Sequence, residues 1–359
     1  MQLEWKLQVG YGEEIPVTFP TSVRAALGAA GRPLPDGASV GAVTFRSVID
    51  RADTAGAVGV ILTVPGVLGE CDVFVEGRPV GRADSAAGGF CADIFPQLTS
   101  DVSLIELRFL PETAGRRADC LTDGRYFPSA ADPAVLAPVT VTVRTDDRPA
   151  IGDIRVVQTV EEGMAVLRIS VSRTGKTDDT KVVATLTAED GKMYYAGLPN
   201  GRGELIVPDP VYWWTHDRGA QVLYRLTLTL YHGADAADEV TRVVGLRAVS
   251  ASAGEKGIFC ASLNGEPLRL YGCDFPPLTF PLTEATGTLC AARMADAALA
   301  GFNLFRLPAD TPPPTEEFLS ACDRAGMLVW QVLPPVPAEA AERDAYIREC
   351  EKEMYRCMT

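Results

Sequence analysis

Apolar residues recur at every second position through roughly the first 250 residues and at every third or fourth position beyond them, a change from strand period to helix period. In the first block Ile105, Leu107 and Phe109 alternate with Glu106 and Arg108. Val139, Val141 and Val143 alternate with Thr140 and Thr142 in the same way, as strands buried on one face require. The run from Val58 to Val64 is apolar throughout, and Cys71 to Val75 passes through the tight-turn pair Glu76-Gly77 into Arg78 to Gly81. Residues 1–145 therefore read as a β-sandwich of the jelly-roll kind.

A polar, proline-containing link, Thr145 to Pro149, leads into a second β block. There Leu167, Ile169 and Val171 alternate with Arg168 and Ser170, and Tyr224, Leu226, Leu228 and Leu230 alternate with Arg225, Thr227 and Thr229. About seven short strands in residues 146–250 suit an immunoglobulin-like sandwich.

Ser250 to Gly254 reads as a flexible link, and the helix period begins after it. Leu289 to Ala300 and Glu316 to Ala325 are predicted helices, each followed by a short apolar strand. Thr315 is placed to cap the second, Glu316 and Glu317 suit its positive end, and Gly326 can terminate it. A last helix, Glu339 to Cys357, presents Tyr346, Ile347, Cys350, Met354 and Cys357 on one stripe. Residues 251–359 thus read as a partial (β/α) barrel of about three βα units, with strands expected at Leu268 to Cys273, Asn303 to Leu307 and Met327 to Leu333. The whole is a multidomain, mainly β chain. Three parallel strands covered on one side would leave an open inner face bearing Phe305 and Trp330. The chain's own β domains, a second copy (a homo-oligomer) or a second chain is expected to cover it.

At 359 residues, 47% hydrophobic and 22% charged, the chain is an ordinary folded protein with room for two or three domains. No apolar run approaches the roughly 20 residues of a bilayer span, and Glu4 and Lys6 interrupt the first ten positions. No membrane association is expected, and the location is read as cytoplasmic, or that of a chain whose leader has been removed. Nine scattered cysteines with no Cys-x-x-Cys pair fit free thiols in a reducing compartment. Only His216 and His232 supply imidazoles, so a metal site is not expected, nor any other cofactor. A net charge of −14 without a compensating basic cluster excludes nucleic acid as a partner.

Local sequence adds a resemblance. Gly66 to Gly81, with Glu76 where an Asn is usual, and Phe90 to Ile94 are similar to the sugar-binding-domain segments of glycoside hydrolase family 2, the β-galactosidase, β-mannosidase and β-glucuronidase group. Val207 to Trp214, Leu223 to Leu226 and Val244 to Arg247 resemble that family's Trp-Trp, Leu-Tyr and Gly-Phe-Arg signatures. Leu263 to Cys273, Gly301 to Arg306 and Cys322 to Gln331 resemble its opening barrel strands. The order of domains agrees.

The resemblance implies a retaining β-glycosidase acting on β-linked glycans or glycosides. Such enzymes cut with two carboxyl groups about 5 to 5.5 Å apart, one acid/base and one nucleophile. In the family these stand at the ends of barrel strands four and seven, and Glu349 to Cys357 resembles the helix directly before strand four. The chain as given is therefore expected to hold no catalytic residue of the pair and to be inactive alone. Arg306, matching the arginine that orients the nucleophile, and Trp330, matching an aromatic near the sugar pocket, are the substrate-binding candidates. Arg306 could instead pair with a local carboxylate or solvent, and Trp213 and Trp214 read as core or corner aromatics of a sandwich rather than a sugar-stacking platform. Asp274 and Asp310 follow strands one and two, whereas Glu317 and Asp323 are expected on a solvated helix face. Two other functions stay open: a non-catalytic carbohydrate-binding or assembly module, or half of a split hydrolase completed by a second chain.

Overall fold

The computed structural model describes residues 3–35, 38, 40–84, 89–109, 132–146, 148–253, 259–275, 287–309, 314–333, 336, 343, 344, 346–348, 350, 351 and 354. The mainly β, multidomain reading holds. The first sandwich opposes a six-stranded antiparallel sheet to a three-stranded one. The larger runs Ile15–Val17, Trp5–Val9, Val43–Asp50, Val102–Phe109, Glu70–Val75, Arg78–Asp84, and the smaller Thr140–Arg144, Gly59–Val64, Phe90–Asp93. Alternation dictates which residues meet: Phe45, Ile105 and Leu107 from one sheet share a core with Val60, Leu62 and Val141 from the other. The turn read at Glu76-Gly77 is present, both residues having positive φ (53° and 71°), as a two-residue hairpin connection needs.

The second sandwich has seven strands among the described residues. Ala150–Glu161, Met164–Thr174 and Arg202–Val207 form one sheet. Met193–Leu198, Thr180–Thr187, Tyr224–His232 and Asp235–Val244 form the other. Leu167, Ile169, Leu186, Leu226 and Leu228 lie between them, the three-plus-four layering of an immunoglobulin-like fold.

The stretch expected to be a flexible link is instead a strand. Val249–Ala253 pairs antiparallel with Phe259–Leu263, which turns into Glu266–Leu268. Small side chains let the backbone lie flat, and the ladder gives its polar groups partners that a link would leave to water. Ser250 and Ser262 hydroxyls meet across it at 2.6 Å. Because this hairpin uses residues up to Leu268, the first parallel strand is short and late, Gly272–Asp274, rather than Leu268 to Cys273.

The other two parallel strands are Leu304–Leu307 and Leu328–Gln331, joined through helices Gly287–Leu299 and Glu316–Ala325. Thr315 accepts from Phe318 N at 3.2 Å as the N-cap, and Gly326 closes the helix in the left-handed conformation, φ 69°. Phe305 is corrected. It points away from the open face into the helix-side core with Met294, Phe318 and Cys322, because odd and even positions of a strand face opposite ways and the helices need its ring. The expected last helix lies largely outside the described residues. Among the described residues no helix is long and apolar enough to cross a membrane.

Candidate functional site

The parallel register aligns Asp274 with Arg306 and Arg306 with Trp330. In-register neighbours of a parallel sheet share a face and stand about 4.8 Å apart, so an acid, a base and an aromatic form one row across three strands. The row lies toward the strands' carboxyl ends, where barrel folds place their chemistry. Arg306 Nη1 donates to Asp274 Oδ1 at 2.8 Å, the two side chains being 45% and 50% exposed. A pair this open is worth at most about 1 kcal/mol, so Asp274 holds Arg306 in place without committing it. Trp330 is 45% exposed. Arg306 thus has the local carboxylate partner that sequence reading allowed, toward the carboxyl end of the second parallel strand. Asp310 lies outside the described residues.

One turn lower, the same face is covered. Leu328 and Leu270 pack with Trp213, Leu263 and Leu268 in a small core shared between the second sandwich and the parallel strands. Trp213 is 1% exposed, a core residue as its sequence context suggests. Its Nε1 donates to the Asp323 carbonyl at 2.7 Å, and the Arg247 guanidinium lies 4.8 Å above its ring.

Asp323 is not on a solvated face. Its carboxylate is 3.3 Å from Arg247, an ion pair between domains with side chains only 16% and 20% exposed. Burial pushes the Asp323 carboxyl above the usual carboxylate range, and Arg247 draws it only part of the way back. Glu317, by contrast, is exposed as expected. Between the two domains runs a cleft of about 1070 Å³, lined by Gln158, Arg247, Leu304, Leu328 and Trp330 among others.

The sequence reading passed over Asn303, which is fully buried. Its Oδ1 accepts from Tyr271 N at 2.9 Å, and its Nδ2 donates to Arg269 O at 2.9 Å and Asp217 Oδ2 at 3.3 Å. The available signal was a lone amide inside the apolar run Gly301 to Leu307, where an unpartnered polar group would be costly. His216 and Asp217, in the loop after Trp214, were likewise missed, since their partners are more than 80 residues away.

Residues 136–247 match the profile of glycosyl hydrolases family 2. An exo-β-D-glucosaminidase of Streptomyces avermitilis is 25% identical over 305 residues, covering 79% of this chain and 33% of that protein. Over its second sandwich the chain matches glycoside hydrolase family 2. A β-glucuronidase of Rattus norvegicus is 29% identical over 208 residues, covering 55% of this chain and 30% of that protein. Among solved structures, the β-D-mannosidase of Dictyoglomus thermophilum superposes with a TM-score of 0.83 at 17% identity, over 99% of this chain and 51% of the other. An exo-chitosanase of Amycolatopsis orientalis gives 0.69 at 19% identity, over 98% and 47%. The likeness to these structures is one of fold, and the chain spans about a third of the length of the curated relatives it matches.

Proposed function

We propose that residues 1–359 form the front of a retaining β-glycosidase: two sandwich domains and the opening strands of the barrel that binds a β-linked sugar. The observation that carries this reading is the row Asp274, Arg306, Trp330 at the carboxyl ends of three parallel strands. A guanidinium is suited to orient a carboxylate by charge-assisted, forked hydrogen bonds, and a half-exposed indole offers an apolar face to a pyranose ring. Hydrolysis needs two carboxyl groups about 5 to 5.5 Å apart. Among the described parallel strands Asp274 is the one carboxylate on this face, and Arg306 holds it. The acid/base and nucleophile would come from later strands, in continuous or separate polypeptide.

Purified residues 1–359 are therefore expected to give no turnover of aryl β-glycosides, and turnover to appear when polypeptide carrying the later strands is supplied. Turnover by residues 1–359 alone, abolished by a substitution within them, would sink the reading. Calorimetric sugar binding without turnover even in the completed protein would favour a non-catalytic carbohydrate-binding module instead.

A further inference from the structure

We infer that the second sandwich domain sets the strand register of the substrate face, through a knot centred on Asn303, and that His216, Asp217 and Asn303 are positioning residues for Arg306. The inference rests on the proposed function only in calling that face a substrate face; the knot is a matter of geometry. Asn303 lies three residues before Arg306, immediately ahead of the same strand, and ties four segments together. Its side chain holds Arg269 and Tyr271 before the first parallel strand and reaches Asp217 of the sandwich loop. Its backbone N donates to Tyr271 O at 2.8 Å, and its carbonyl accepts from Leu328 N at 2.9 Å on the third strand.

His216 adds two bonds from the same loop. Its Nε2 is 2.7 Å from the Phe302 carbonyl, an oxygen that can only accept, so Nε2 carries the proton. Its backbone N donates to Gly326 O at 3.1 Å, just before the third strand. The loop thus grips the starts of strands two and three at once, and both grips are adjacent to the residues that Asn303 joins.

Register matters here because the side-chain period of a strand is two. A slip of one residue along Leu304–Leu307 would carry Arg306 to the helix side and bring Phe305 or Leu307 to the face with Asp274 and Trp330. The strands have only three or four residues each, too few for their own ladders to specify register strongly. A loop that fixes two strand starts from outside the sheet supplies the missing constraint.

The test is hydrogen exchange read by mass spectrometry on the full chain, comparing the wild type with His216→Ala, Asp217→Ala, their double variant, Asp217→Asn and Asn303→Ala. The expected result for the double variant is exchange about tenfold or more faster in Leu304–Leu307 and Leu328–Gln331, with Val102–Phe109 of the first sandwich unchanged. Asp217→Asn, which keeps an acceptor oxygen for Asn303 Nδ2, should stay close to wild type where Asp217→Ala does not. Asn303→Ala should show the largest change, and should it fail to fold, the exposed Asp217 and the half-buried His216 still decide the matter. Unchanged exchange in both barrel strands of the double variant overturns the inference, as does equal acceleration in the first sandwich. Neither outcome depends on sugar binding or turnover, so a failed glycosidase reading would be seen separately.

Discussion

Glu106 shows how far a polar residue in an alternating strand can be misjudged from its pattern. The alternation puts it on the outward face of its sheet, and it is there, yet its side chain is only 4% exposed because Arg46 and Arg108 close over it. Arg46 Nε donates to it at 2.9 Å, Arg108 caps the other oxygen, and Arg108 in turn lies 4.0 Å above the Phe74 ring. Burial alone would raise its carboxyl, but the two guanidinium hydrogen bonds win and hold it below the usual glutamate range. A carboxylate depressed in the folded state contributes stability that is present above its unfolded value and lost as pH falls through the folded one. Glu106→Ala is expected to cost the first sandwich about 2 to 4 kcal/mol at neutral pH, since it leaves two arginines over an empty site. In urea denaturation that deficit should shrink once the pH is below the ordinary glutamate range. A pH-independent deficit would mean that packing, rather than the charge pair, is what was lost. Arg306 stood out at this scale because the residues around it resemble a glycoside hydrolase family 2 segment. Asn303 was not, because its value lies in partners drawn from three other segments.

At the level of elements, the helix Glu316–Ala325 was readable to the residue, since its signals are local: Thr315 caps it, acids fill its first turn and Gly326 ends it. Gly326 carries a second duty that sequence does not show. A Cβ there would stand 2.4 Å from His216 N, on backbone that cannot yield. Gly326→Ala therefore combines left-handed strain of about 1 kcal/mol with a clash across the domain contact, and is expected to cost at least about 2 kcal/mol. Thermal unfolding measures the loss, and accelerated exchange at Leu328–Gln331 would localise it. A neutral substitution would show that the loop around His216 yields freely. The strand Val249–Ala253 was misread as a link because serines and alanines have weak preferences of their own; pairing with Phe259–Leu263 decides their state.

Across the whole molecule, the second sandwich and the barrel strands behave as partners held by one buried indole. Trp213 sits among Leu263, Leu268, Leu270 and Leu328, bonded to Asp323 and covered by Arg247. Trp213→Ala is expected to cost about 3 to 5 kcal/mol and, in calorimetry, to split the unfolding of the parallel strands from that of the second sandwich. A single transition with unaltered cooperativity would contradict that coupling. The sequence by itself determined the three successive blocks, the strand and helix periods, the capped helix and the resemblance around Arg306 and Trp330, because each of these is written in residues within a turn or two of one another. Only the tertiary structure decided that Phe305 faces the helices, that Asp323 is paired across domains, and that Asp274, Arg306 and Trp330 share a row. Those outcomes depend on which strands pair and in what register, and register is fixed here by contacts such as His216 to Phe302 and Asp217 to Asn303, between residues 86 positions apart.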